Sequence, residues 1–253
     1  MNTTPLKFTA VFAYFAMVFV NFLAISLPIN NRSTGEISNA YSNLFTPSGI
    51  TFSIWGLIYL LLGGFLAYQF TKGSFSKKDL LNKINIYFIG TSVANILWIF
   101  AWHYDYIGLS VFIMLILLIL LIKIADIVNL KQFTTIEKYL ISTPFNVYFG
   151  WITVATIANI IVFLVSIKWS GFGIADYIWT IIILLIGALI AILRIQKDKS
   201  IAYGLVLIWA YFGILLKHIS VDGFNSQYPS IIITAILCIM LFILFTIKNI
   251  KDL

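Results

Sequence analysis

Eight apolar runs, most of them close to the length of one bilayer crossing, fill most of this 253-residue chain and are separated by short polar breaks. They read as Phe8–Leu27, Gly49–Phe70, Ile84–Trp102, Ile107–Val128, Tyr139–Ile167, Ile174–Leu193, Ile201–Ile219 and Ser230–Ile247. Charged residues make up 10% of the chain and apolar ones 61%. That is too little charge to cover a water-soluble surface of this size. A soluble enzyme, a nucleic-acid-binding domain and a disordered chain are thereby excluded. The expected fold is an all-α, polytopic membrane helix bundle of about eight transmembrane helices. The single cysteine, Cys238, forms no internal disulfide. The fifth run exceeds one crossing, so it should tilt, kink or protrude, with Pro144 as the kink.

The basic residues predict an orientation. Of the 16 Lys and Arg, only Arg32, Lys168 and Lys217 fall in the odd-numbered breaks or the run ends beside them. The other thirteen lie at the two termini and in the even-numbered breaks or, for Lys123, the run end beside one. Short loops rich in Lys and Arg stay in the cytoplasm, so both termini are expected there, with the segment Pro28–Ser48 on the far side. The net charge of +7 is thus a topology signal facing anionic lipid, not a nucleic-acid footprint. Ala24-Ile25-Ser26 loosely fits a signal-peptide cleavage site, but the run before it is longer than such a signal uses, and a retained helix is expected. The Ile-, Asn- and Lys-rich composition suggests an AT-rich bacterial source, hence a bacterial cytoplasmic membrane.

No Asp, Glu, Lys or Arg falls near the middle of a run, which lowers the prospect of ion or proton pumping. No P-loop, HExxH, CxxC or GxSxG motif is present. The intramembrane polar residues are instead Asn, Thr, Tyr and Trp. Thr51, Trp55, Tyr59 and Gly63 recur every four residues. Asn95, Trp98 and Trp102 share one helix face, as do Tyr148, Trp151, Ala155 and Asn159. The sequences Val93-Ala94-Asn95-Ile96-Leu97 and Ile157-Ala158-Asn159-Ile160-Ile161 echo each other. Buried amides need partners, so both asparagines should face the bundle interior, either as interhelical glue or as ligand contacts. Trp102, Trp169 and Trp179 read as interfacial anchors, and Gly63 and Gly64 as close-packing positions. His103 with Asp105 and His218 with Asp222 read as solvated helix ends.

On these residues the chain resembles the TspO/MBR family, the tryptophan-rich sensory proteins that include the mitochondrial translocator protein. The segment Phe45-Thr46-Pro47-Ser48-Gly49 leads into Trp55-Gly56-Leu57-Ile58-Tyr59, similar to the family's Pro-containing lead and W-x-x-L-Y motif. Asn95-Ile96-Leu97-Trp98 looks like its N-x-x-W, and Trp151 with Asn159 like its Trp followed eight residues later by Asn. Gly49 and Leu44-Phe45 replace tryptophans and a second proline, and Pro144 is displaced from the family spacing. The resemblance implies a TspO-like five-helix core over residues 1–167. Residues 168–253 then form a three-helix extension with no counterpart in that core.

The resemblance also implies binding of small hydrophobic or aromatic ligands, typically tetrapyrroles such as porphyrin or haem, in the outer half of the core beneath the loop 28–48. The ligand-binding set is Trp55, Tyr59, Asn95, Trp98, Tyr148, Trp151 and Asn159, with Arg32 and Pro47 in the lid loop. No catalytic centre, metal site or required cofactor is expected; the partners are the lipid bilayer and the small ligand. A homodimer is compatible with this reading. The competing readings are a permease for a neutral or amphipathic solute and a porphyrin-modifying enzyme with Trp98 or Trp151 as redox-active side chains.

Overall fold

The computed structural model describes residues 4–27 and 29–251. Pro28, with which the expected lid loop begins, lies outside the described residues, as do the outermost residues of the expected two-part division, 1–3 and 252–253. A bilayer offers no hydrogen-bond partners, so a spanning chain must satisfy its backbone within each segment, and helices do so. The helices are α1 (Thr4–Ser26), α2 (Thr34–Ala40), α3 (Ile54–Tyr68), α4 (Lys78–His103), α5 (Ile107–Asn129), α6 (Thr135–Glu137), α7 (Thr143–Ser166), α8 (Asp176–Asp198), α9 (Ile201–Ile219) and α10 (Pro229–Lys251). Eight segments are long and apolar enough to cross a membrane, and no strand occurs among the described residues. The protein is an all-α polytopic bundle.

Two boundaries differ from the sequence expectation. The third spanning helix starts at Lys78 rather than near Ile84, because the long stems of Lys78 and Lys83 allow a helix to run past the hydrocarbon edge. The fifth begins with α6 and passes through a π-helical turn, Lys138–Ser142, before α7. Pro144 sits just after that turn, at the start of α7. Proline lacks an N–H and its ring crowds the carbonyl four residues earlier. The wider turn accommodates it, so the expected irregularity is a π-turn.

The core runs between neighbouring helices: α4 packs on α1 and α5, α5 on α7, α7 on α3 and α9, and α10 on α8 and α9. Phe8, Phe12, Phe15, Phe19 and Phe22 stay exposed along one face of α1, the surface a spanning bundle turns to hydrocarbon. Inside, uncharged polar groups tie helices together. Asn21 Nδ2 donates to Asn95 Oδ1 at 2.6 Å, and Asn95 Nδ2 to Tyr148 OH at 3.3 Å, joining α1, α4 and α7. Gln69 and Asn85 exchange two amide bonds of 3.1 and 2.7 Å. Asn146 Nδ2 donates to Asn129 Oδ1 at 2.9 Å, linking α7 to α5. Contacts of this kind contribute roughly 0.6–2 kcal/mol each in a membrane interior.

Charge is confined to the ends. Arg194 bridges Asp126 on α5 at 2.7 Å and Asp198 on α8 at 2.6 Å. Glycines set the closest crossings. A Cβ on Gly150 would stand 3.0 Å from Val206 Cβ on α9. One on Gly213 would stand 2.7 Å from Thr51 Cγ2 and 2.9 Å from Thr51 Cβ, so α9 meets the 3₁₀ turn Gly49–Ser53 with no room for a side chain.

Candidate functional site

The segment between α1 and α3 is folded and fastened at both ends. Ser33 caps α2, with Ser33 N–H donating to Glu36 Oε2 at 2.6 Å and Glu36 N–H to Ser33 Oγ at 3.3 Å. The Ser33 backbone bond, then its hydroxyl, hold the Glu36 carboxyl below the ordinary carboxylate range. Asn30 and Asn31 adopt φ of 55° and 60°, a left-handed region that asparagine tolerates better than most residues. Arg32 pairs with Asp105 in the α4–α5 turn, and Tyr41 OH donates to the same carboxylate at 3.1 Å. Partial burial, then the bond to Asp105 and its charge, push the Tyr41 hydroxyl up.

His103 closes one side. Its Nδ1–H donates to Ile29 O at 3.0 Å, which leaves Nε2 to accept from Thr34 Oγ1 at 3.0 Å. Trp102 Nε1 donates to Thr34 O at 3.2 Å. On the other side, His218 Nε2 donates to Leu44 O at 2.9 Å, and its ring packs on Phe224 and Tyr228. Ser48 N–H donates to Gly213 O at 2.9 Å, and Trp209 Nε1 to Thr51 O at 3.0 Å.

Three sequence expectations are corrected here. Trp102 is buried rather than an interfacial anchor, and His103 and His218 are fully buried rather than solvated helix ends. The 29–48 segment folds back over the bundle and covers these helix ends, and at His218 Phe224 and Tyr228 complete the cover. Trp169 and Trp179 do pair at the same end, 5.1 Å between ring centroids, with Trp169 partly exposed.

Beneath the segment lies a narrow, mostly apolar cavity of about 60 Å³. Its walls include Trp55, Trp98, Trp102, Trp151 and Asn159, and Pro47 roofs it. Trp98 and Trp102 stack at 5.4 Å, one helical turn apart on α4. Trp98 Nε1 donates to Asn159 Oδ1 at 2.9 Å, and Asn159 Nδ2 donates to Ser110 Oγ at 2.9 Å, so α4, α5 and α7 converge at one amide. Trp151 meets Trp55 edge-on at 6.3 Å and Phe52 at 5.8 Å. The Trp151 indole N–H is buried and has no hydrogen-bond partner.

The expected residues therefore fall into three groups. Trp55, Trp98, Trp151, Asn159 and Pro47 meet around the cavity. Tyr59, Tyr148 and Asn95 do not line it. Tyr59 stacks beneath Trp55 at 5.7 Å with its own hydroxyl buried and unpartnered, Tyr148 meets Trp55 edge-on, and Asn95 is occupied by Asn21 and Tyr148. Arg32 stands above, engaged with Asp105. Sequence reasoning missed Phe45, Phe52 and Ala210, which also line the cavity. For Ala210 the available signal was the small pair Ala210 and Gly213 on α9.

A family model described as TSPO-like protein matches residues 7–248, nearly the whole chain. The chain belongs to the TSPO-like protein family. The match includes α8, α9 and α10 as well as the first five spans, so the α9 residue that lines the cavity, Ala210, lies within the matched region. No curated protein matches the chain, and no solved structure does. Family membership and eight apolar spans together make this TSPO-like chain an integral membrane protein.

Proposed function

We propose that this TSPO-like protein binds small, flat hydrophobic ligands beneath the 29–48 segment, with tetrapyrroles as the leading class. The observation that carries this reading is the Trp151 indole N–H. It is buried, unpartnered and carried by a wall of the aromatic cavity. A buried donor without a partner costs about 1–3 kcal/mol, and a ligand acceptor would recover that cost. Indole faces supply stacking, and a few oriented polar groups fix orientation, the usual composition of a small-molecule site.

At about 60 Å³ the cavity is well below the roughly 300–1,000 Å³ of drug-sized sites. A macrocycle therefore enters only if the segment lifts, which separates Arg32 from Asp105 and His103 from Thr34. Arg32 would then be released to meet a propionate. With the segment closed, both ring nitrogens of His103 are hydrogen-bonded to it, at Ile29 O and Thr34 Oγ1.

The test is a titration of the purified protein with protoporphyrin, followed by tryptophan fluorescence. Trp151→Phe keeps an aromatic ring against Trp55 and Phe52 but removes the N–H. Affinity should fall about tenfold, the scale of one hydrogen bond in a dry site, while the melting temperature holds or rises because the orphan donor is gone. Lower stability with unchanged affinity would make Trp151 purely structural. Solute flux into liposomes would favour a permease, and light-driven loss of the porphyrin band an enzyme.

Orientation follows the basic residues: both termini cytoplasmic and the 29–48 segment outside. Reporter fusions after Lys78 and Lys199 should give a cytoplasmic signal, and fusions within Val221–Gln227 an external one. An external signal after Lys199 would overturn this placement.

A further inference from the structure

At the lysine-rich end of the bundle, the start of α1, the 3₁₀ turn Lys72–Lys77 with Gln69 before it, and the start of α4 border a second, half-open cavity of about 160 Å³. Lys7 and Lys78 stand at its edge, and Gln69, Ser74 and Asn82 supply polar lining. Lys7 Nζ is held in place, donating to Gln69 O at 3.3 Å and lying 4.1 Å from the Phe70 ring centroid. The single Ser74 O–H is shared between Thr71 O at 2.8 Å and Gln69 O at 3.1 Å. Gln69 is itself locked by its amide exchange with Asn85. The floor is therefore rigid and its polarity internally satisfied.

The charge in this cavity is not. Neither Lys7 nor Lys78 is ion-paired among the described residues, whereas Lys77, close by in sequence, is bound to Glu137 at 3.3 Å. The first turn of α4 has no side-chain cap and carries one carboxylate, Asp79, which is in no ion pair with Lys7 or Lys78. The position of the cavity in the fold indicates which anion would fit. The cavity lies where three spanning helices begin or end, and Phe8, Phe70 and Phe75 are exposed near its mouth. Exposed phenylalanines beside unpaired lysines fit the boundary between acyl chains and headgroups, where basic pockets between helices hold anionic lipid headgroups.

We propose that this cavity is a site for an anionic phospholipid, with its phosphate between Lys7 and Lys78 and its acyl chains lying past Phe70 and Phe75. It is separate from the aromatic cavity at the other end of the bundle and does not depend on the ligand bound there.

The experiment is native mass spectrometry of the full chain in detergent with added phosphatidylglycerol or phosphatidylcholine. The wild type should retain phosphatidylglycerol preferentially. Lys7→Gln with Lys78→Gln should weaken that retention more than tenfold, at about fivefold per lysine. Lys131→Gln with Lys248→Gln removes equal charge from the same end and should leave it within twofold. A thermal melt identical to wild type shows that both double variants remain folded. Equal retention of the two lipids by the wild type would overturn the proposal. So would equal losses in the two double variants, because the effect would then be general charge. Displacement of phosphatidylglycerol by millimolar inorganic phosphate would also overturn it, since the site would then take a soluble anion.

Discussion

Gly213→Val is expected to destabilise the protein by about 3 kcal/mol, the upper end of the range for overpacking a tight contact. A Cβ there already falls 2.7 Å from Thr51 Cγ2, and the two added methyls have nowhere to go. The damage reaches the cavity, because Gly213 O accepts the Ser48 N–H and Trp209 Nε1 donates to Thr51 O, and both bonds hold the turn that starts α3. Trp55 follows that turn directly. The purified variant should melt well below wild type and lose porphyrin affinity as well. Leu205→Val, at an exposed site on the same helix, should be near neutral. A Gly213→Val protein that melts with the wild type would mean that α9 and the turn are not in contact in the membrane.

Trp98→Ala carries the second large effect. It removes a buried indole, its stack on Trp102 and the hydrogen bond to Asn159. Truncation of a buried tryptophan costs about 3–5 kcal/mol of stability. Loss of one stacking face should weaken tetrapyrrole binding by a further 1–2 kcal/mol or so. Trp98→Phe narrows the two effects, since it keeps one aromatic ring on Trp102 while losing the bond to Asn159, worth about 1 kcal/mol, and the packing of the second ring. Calorimetry or thermal shift reads the first quantity and fluorescence titration the second. Unchanged affinity in a folded Trp98→Ala protein would place the ligand elsewhere.

The spans were legible because hydrocarbon imposes one requirement on every segment, about twenty apolar residues in a helix, and eight runs met it. The family was legible because Pro47, Trp55, Asn95, Trp98, Trp151 and Asn159 kept their relative spacing over three helices. What failed were inferences from position along a helix. His103, His218 and Trp102 stand at helix ends, where water or headgroups are the ordinary neighbours. The folded-back 29–48 segment, with α2 inside it, buries them, joined at His218 by Phe224 and Tyr228. The capping pattern Ser33-x-x-Glu36 was the local signal for that helix. The Gly213–Thr51 contact joins residues far apart in sequence, and no periodicity reports such a meeting. The difference between Trp55, which lines the cavity, and Tyr59, which lies beneath it, is one helical turn of depth, below what spacing alone resolves.

The interior polarity of this bundle is carried by amides, hydroxyls and indoles, while the described carboxylates and basic groups stay at the two ends. A transmembrane voltage does work only on charge that moves through it, about 2.3 kcal/mol per elementary charge per 100 mV. Rearranging Trp98, Trp151 or Asn159 around a guest moves no net protein charge across the field. On the proposed binding reading, these interior groups are electrically silent, and voltage sensitivity must come from the charge on the guest or from Arg32 at the outer end.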